Sequence, residues 1–191
     1  VDDTSGCGSP IEDSVDQAGT SFTVSGALSV ATNYYICVTA KDGTGNVTAA
    51  TNTNFNFQIE TTKPTVTMTS GPTNATIGGA GSTQYTVTLA DTGGSGLVSG
   101  YELTDAEITL VKTGSADCAT INVADGTTST PDITLSDCTG DGTVKIKVNA
   151  ASIADTAGNT NDESAQSSAV TIDSTGPDAF VITAPTDWTN D

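Results

Sequence analysis

The sequence predicts an all-β fold, built of consecutive antiparallel β-sandwiches in a linear array, and three observations carry that prediction. Short runs of apolar residues alternate with polar ones at a period of two, as half-buried strands do. Helical periodicity is nearly absent, and Gly, Pro and β-branched residues interrupt every stretch that could hold it. Finally, the chain says one thing twice. "AKDGTGNVTAATNTNFNFQIETTKP" from Ala40 and "ADTAGNTNDESAQSSAVTIDSTGP" from Ala154 share, at equal offsets, an aspartate (Asp42, Asp155), a Gly-Asn pair (Gly45-Asn46, Gly158-Asn159), an isoleucine (Ile59, Ile172), an acid (Glu60, Asp173) and a proline (Pro64, Pro177). Self-similarity of this kind marks repeated units.

Taken in order, residues 1–60 read as the later part of an incomplete sandwich. Its strands are expected at "SFTVSG" (Phe22, Val24), "YYICVTA" (Tyr34, Ile36, Val38, Ala40) and "NFNFQI" (Phe55, Phe57, Ile59). Residues 61–64 form a connector, because a proline after a strand ends its hydrogen-bond ladder and stiffens the exit. Residues 65–173 read as one complete sandwich. Its strands are expected at "TVTM" (Val66, Met68), "QYTVTLA" (Tyr85, Val87, Leu89), "ITL" (Ile108, Leu110), "TINVA" (Ile121, Val123), "DITLS" (Ile133, Leu135), "TVKIKV" (Val144, Ile146, Val148) and "AVTID" (Val170, Ile172). Residues 174–177 form a second connector. Residues 178–191 then open a further domain, since "PDAFVITAPTD" meets its second Pro-Thr at the same distance as "PTVTMTSGPTN" does.

Composition narrows the function. Only 35% of the 191 residues are hydrophobic and 5% aromatic, so each core is thin. The net charge of -18, with five basic residues and no histidine, argues against nucleic acid and anionic membranes, whose phosphates would be repelled. The same charge attracts divalent cations, or simply keeps an exposed surface soluble. The four cysteines fall one pair in each half, Cys7 with Cys37 and Cys118 with Cys138, without CxxC spacing and with no histidine to help hold zinc. Two local disulfides in an oxidising compartment fit that pattern. No signal peptide or transmembrane run is present, and the abrupt start at "VDDTSGCGSP" reads as a piece of a longer secreted protein. An enzyme is not expected: no Ser or Cys nucleophile stands with a base, and no Gly-rich loop stands between a strand and a helix.

"LSVATNYYICVTAKDGTGN" resembles the fibronectin type III signature around its sixth strand, with Leu28, Tyr34, Ile36, Val38 and Ala40 at the matching positions. The resemblance implies that Tyr34 forms a tyrosine corner, its ring buried and its hydroxyl bonded to the preceding turn. If Tyr34, Ile36 and Val38 face the core, Cys37 faces away, and its bridge to Cys7 lies on the outer face of a sheet. "SIADTAGNTNDESAQSSAVTIDSTGP" is similar to the bacterial immunoglobulin-like repeats of giant surface adhesins and other long cell-surface proteins. Together these resemblances imply immunoglobulin-like and fibronectin type III-like sandwiches in tandem, in an extracellular stalk or binding module.

In a seven-strand sandwich the turn between the last two strands lies at the pole of the amino terminus, as does the turn after the second strand. Asp155 and Asn159 are therefore expected beside Glu60 of the connector, joined by Asp91 of "LADTGGSGL" and by Asp105. Two readings of that gathering stand side by side. Asp and Asn cap the turn while Gly45 and Gly158 take positive φ, or the carboxylates also hold calcium, which takes six to eight hard oxygen ligands. Asp42 would serve a unit upstream and Asp173 one downstream. The sequons "NVT" at Asn46 and "NAT" at Asn74 also arise by chance in a Thr-rich chain, and Trp188 is either a sugar-stacking platform or a core residue of the next unit.

The function expected is a structural spacer of a surface adhesin or fibre, stiffened by disulfides and by calcium if the metal reading holds. Its partners are neighbouring domains of the same array, with a host or cell-surface glycan or protein at a distant tip. The alternatives are a ligand-binding adhesin module and a fibre subunit assembled head to tail, in which residues 178–191 are donated as a strand to the next copy.

Overall fold

A computed structural model describes residues 23–49, 55–79 and 81–183. Among the described residues the fold is all-β, with one turn of 3-10 helix at Asp105–Glu107 and no helix long and apolar enough to cross a membrane. The first part holds β1 (Asn33–Tyr35), β2 (Thr39–Lys41), β3 (Val47–Ala49) and β4 (Asn56–Gln58). Strand β1 pairs antiparallel with β4, and β2 with β3.

The remainder holds β5 (Thr65–Ser70), β6 (Thr76–Ile77), β7 (Thr83–Ala90), β8 (Ile108–Lys112), β9 (Asp117–Ala124), β10 (Asp132–Thr139), β11 (Asp141–Val148) and β12 (Val170–Asp173). These make two four-stranded sheets, β5-β7-β10-β9 and β6-β12-β11-β8, in which only β6 and β12 run parallel. Strict alternation on β7, β10 and β11 sends Tyr85, Val87, Leu89, Ile133, Leu135, Val144, Ile146 and Val148 into one shared core. Cys118 and Cys138 oppose each other in the β9–β10 register and form a disulfide inside that core.

All seven strands expected between 65 and 173 are present. The two-residue β6 is an addition, too short to show a period. A second unexpected element is the run Asn161–Val170, where the inward residues Asn161, Ser164, Ser167 and Val170 recur every third position. Here side chains complete the edge of β11. Ser164 and Ser167 N–H groups donate to the carbonyls of Val148 and Ile146, and their hydroxyls accept from the N–H of Val148 at 2.8 Å and of Ile146 at 3.0 Å. Serine is thus buried without leaving a backbone group unpaired.

The first part departs from expectation. Tyr34 is buried and stacks obliquely on Phe57, with ring centroids 5.6 Å apart. Its hydroxyl accepts from Ser29 N–H at 2.5 Å and donates to Ser29 C=O at 3.3 Å, the contact a tyrosine corner makes. Leu28 is half-buried. Ile36 and Val38, however, are 43% and 57% exposed while Cys37 between them is half-buried, the reverse of the expected facing. Alternation turns a side chain inward only where a second layer covers it, and among the described residues no layer covers these two. Residues 23–26 of "SFTVSG" and residues 178–183 are not in strand conformation. Phe180, Val181 and Ile182 stand fully out in solvent. Cys37 is disulfide-bonded. Cys7, Phe22 and Trp188 lie outside the described residues.

Ser167→Ala should leave the buried Ile146 N–H without its acceptor and cost about 1–3 kcal/mol in urea unfolding, whereas exposed Gln166→Ala should cost under about 0.5. Equal effects would contradict the role given to the serine hydroxyls. Replacing Cys118 and Cys138 together by alanine should remove about 3 kcal/mol, the constraint of closing a loop of this length. A loss below about 1 kcal/mol would show that strand pairing alone fixes β9 on β10.

Candidate functional site

The duplicated stretch folds the same way twice. In the second copy Asp155 N–H donates to Asn159 C=O at 2.9 Å, and the Asp155 carboxylate accepts from Asn159 N–H at 2.7 Å and from its Nδ2 at 2.8 Å. In the first copy Asp42 N–H donates to Asn46 C=O at 3.0 Å, and the Asp42 carboxylate accepts from Asn46 N–H at 2.8 Å and Nδ2 at 2.7 Å. Gly45 at φ 90° and Gly158 at φ 94° occupy the step that a side chain would strain. The capping reading of the repeat therefore holds in both copies. Hydrogen bonds from Asn46 and Thr44 hold the Asp42 carboxyl far below the ordinary carboxylate range.

Among the described residues, only the second turn grips something outside itself. The loop after β7 lies across it: Val98 N–H donates to Ala154 C=O, Thr156 N–H to Gly96 C=O and Ala157 N–H to the Ser95 hydroxyl. That seating carries Asp91 to Asp155. On the other side Asn159 Nδ2 reaches the connector, donating toward Glu60 Oε2 at 3.0 Å, Glu60 C=O at 3.3 Å and Thr62 C=O at 3.5 Å. Glu60, Asp91 and Asp155 each place a carboxylate oxygen within 4.8 Å of the others'. Four of the five residues expected at this pole are thus together. Asp105 is not among them: it opens the 3-10 turn, which is held beside the β9–β10 connection by the Leu103 N–H to Gly126 C=O bond and braced by Glu107 accepting from Thr104.

Charge in this gathering is poorly compensated. Asp155 is 2% exposed, and Asp91 Oδ1 is buried with no hydrogen-bond partner, while Oδ2 accepts from Gly96 N–H. A Cβ at Gly94 would stand 2.2 Å from Asp91 Oδ1, so glycine there lets the carboxylate fold over its own loop. Burial pushes the Asp155 carboxyl up, and the hydrogen bonds from Asn159 more than offset this and hold it below the usual range. Among the described residues no lysine pairs with the cluster; the nearest ion pair joins Lys63 to Asp162, both exposed. A cavity of about 240 Å³ opens beside it, lined by Glu60, Thr62, Gly94, Ser95 and Thr156. The three carboxylates are close enough together that they could hold a metal ion, and the main-chain carbonyls of Glu60 and Thr62 face Asn159 Nδ2.

The exit segment contains what sequence reading missed. Asp173 accepts from Thr175 N–H, as Glu60 accepts from Thr62 N–H, so an acid-x-Thr turn closes both stretches. Asp141, unmarked by any repeat, fixes the second one, accepting from Ser174 N–H and the Thr175 hydroxyl at 2.8 Å each. The acid-x-Thr pattern at equal offsets was the available signal for the turns; Asp141 had none. No family model and no curated protein matches this chain.

The Thr175 and Ser174 hydrogen bonds hold the Asp141 carboxyl below its ordinary range. A depressed folded pKa stabilises above the unfolded value, near 3.9, and that contribution disappears as pH falls through the folded one. Asp141→Asn should therefore lower the melting temperature at pH 7 and narrow the gap between pH 7 and pH 3. Parallel melting profiles for the two proteins would refute this anchoring.

Proposed function

We propose that this chain is a stretch of a tandem array of immunoglobulin-like and fibronectin type III-like sandwiches from an extracellular adhesin or fibre of the bacterial cell surface. It serves there as a spacer whose seams are stiffened by calcium. The observation that carries the reading is the duplicated turn, folded alike in both copies and, in the second, holding the connector that precedes its own sandwich. Strand order supports the sandwich class. The order β5-β7-β10-β9 facing β8-β11-β12 is the ABED/CFG arrangement of immunoglobulin sandwiches, with β6 as a short continuation of the first strand onto the opposite sheet. The buried disulfide between Cys118 and Cys138 is compatible with an oxidising, extracellular setting.

Calcium is supported by the chemistry of the donors. Glu60, Asp91 and Asp155 bring three formal negative charges to one place, one oxygen of Asp91 is buried and unpaired, and among the described residues the donor shared between connector and turn is the amide of Asn159. Turning that amide over would present its oxygen to the same point, with no change of backbone. A cation bound there would tie connector, loop and turn together.

Saturating calcium should raise the melting temperature of the wild-type chain relative to chelator, by about 2.7 kcal/mol of added stability at a hundred times its dissociation constant. In Asp91→Asn that response should be largely lost while the chelated protein melts close to wild type, because one repulsive charge has gone. A wild-type melting temperature indifferent to calcium would remove the metal from the proposal and leave the spacer reading on the repeat alone.

A further inference from the structure

Strand β5 stands at the edge of its sheet, paired on one side with β7. On β7, the N–H groups of Val87 and Leu89 donate to the carbonyls of Pro131 and Ser129, toward β10. Backbone groups alternate sides along a strand, so Thr88 and Ala90 face β5 and bond to Thr67 and Thr65, their partners in register. The N–H and C=O of Val66 and Met68 therefore point out of the sheet edge, and among the described residues nothing bonds to them. A groove of about 420 Å³ runs along that edge, between residues 66–71 and an opposite wall of residues 165–168. The wall is held in place by the serine bonds to β11 and by the Tyr85 hydroxyl, which donates to Ser168 C=O at 3.3 Å. At one end the chain itself closes the gap. Gly71, at φ 103°, lies so close to β7 that a Cβ would meet the Gln84 carbonyl at 2.6 Å, and the chain then crosses to the other sheet, where β6 lies beside β12. The place that β6 fills beside β12 is the place the groove leaves open beside 165–168.

We propose that this groove is a docking site for an extended, uncharged peptide segment of another protein, which adds to β5 as a further strand. Three features select that occupant. Val66 and Met68 each offer a donor and an acceptor two residues apart, the repeat of a β-strand, so an extended backbone satisfies them. Their side chains are only partly buried against the core, and every second side chain of an added strand would cover them. Those side chains are small and apolar, because the same 420 Å³ holds the backbone too. Lastly, no residue lining the groove is charged, in a chain of net charge -18, so an acid or base carried into it would be desolvated without a partner. Residues 66–71 match a segment of about six residues. Docking on the flank of the sandwich requires neither calcium nor the array. A few main-chain bonds over so small an area give a dissociation constant on the order of 1 mM.

Amide chemical shifts of the full chain, followed during titration with an acetylated and amidated hexapeptide of alternating threonine and valine, test the proposal. Shifts should concentrate on residues 66–71 and 165–168. Of two versions of the peptide, N-methylated at its valines or at its threonines, one should bind at least about tenfold more weakly, because alternate amides face β5. Val66→Pro, which removes an edge N–H that the β5–β7 ladder does not use, should weaken the parent peptide to a similar degree. Should that variant melt early, the methylated peptides test the same bonds on the wild-type chain. Absence of shifts in the groove, or methylated peptides that both bind as the parent does, would overturn the proposal. So would protection of the Val66 and Met68 amides from hydrogen exchange in the peptide-free protein, which would mean that the chain covers its own edge.

Discussion

Continuity between the two parts of the chain depends on the hydrogen bonds that Asp155 makes to Asn159. Because the Asp155 carboxylate takes both the backbone and side-chain N–H of Asn159, the asparagine amide is held at one orientation, facing the connector. The loop after β7 then rests on residues 154–157, so the position of Asp91 follows from the same turn. Among the described residues, little else crosses the seam. The Lys63–Asp162 pair is exposed at both ends, and pairs of that kind add between nothing and about 1 kcal/mol. An amide offering two hydrogens to four oxygens, from two carboxylates and two carbonyls, is therefore the chief bond between connector and sandwich.

How far the fold could be read from sequence follows from where two layers face each other. Between Thr65 and Asp173 the period-two pattern located seven strands, because each buries one face against an opposing sheet and Tyr85, Ile133 or Ile146 must lie on it. Before Thr65 the same pattern located β1, β2 and β4 but misled about which side chains are covered. Ile36 and Val38 alternate as core residues do and yet stand exposed, since alternation records only that two faces differ, not that a layer covers one of them. Asn161–Val170 escaped for a different reason. Its inward positions are filled by Asn and Ser, which an apolar pattern search ignores, and its period of three belongs to neither strand nor α-helix.

The candidate site was legible as far as side chains repeat. Equal offsets picked out Asp155, Asn159 and Glu60, and sandwich topology placed them at one pole with Asp91. Asp105 was assigned by its place near a strand start, but position along a loop does not fix which neighbour the loop lies against, and the Leu103–Gly126 bond puts it beside another turn. The carbonyls of Glu60 and Thr62 were invisible for a deeper reason: every residue offers the same oxygen, so residue type says nothing about which backbone groups converge.

The division of labour at the seam bears on how such a chain can be lengthened. One side is a five-residue turn held by its own aspartate, glycine and asparagine; the other is an acid-x-Thr turn held by its own carboxylate and, in the second copy, by that of Asp141 as well. Neither half needs the other in order to form, which is why Asp42–Asn46 and Asp173–Thr175 hold their geometry while exposed. Preformed halves lose little conformational entropy on meeting, so their joining is governed by charge. The carboxylates of Glu60, Asp91 and Asp155 repel one another there, and the Asn159 amide offsets this by donating to two of them. In the proposed array, a repeat made this way would be added without altering the sandwiches on either side, and the ionic medium rather than the sandwich core would set how rigid each joint is.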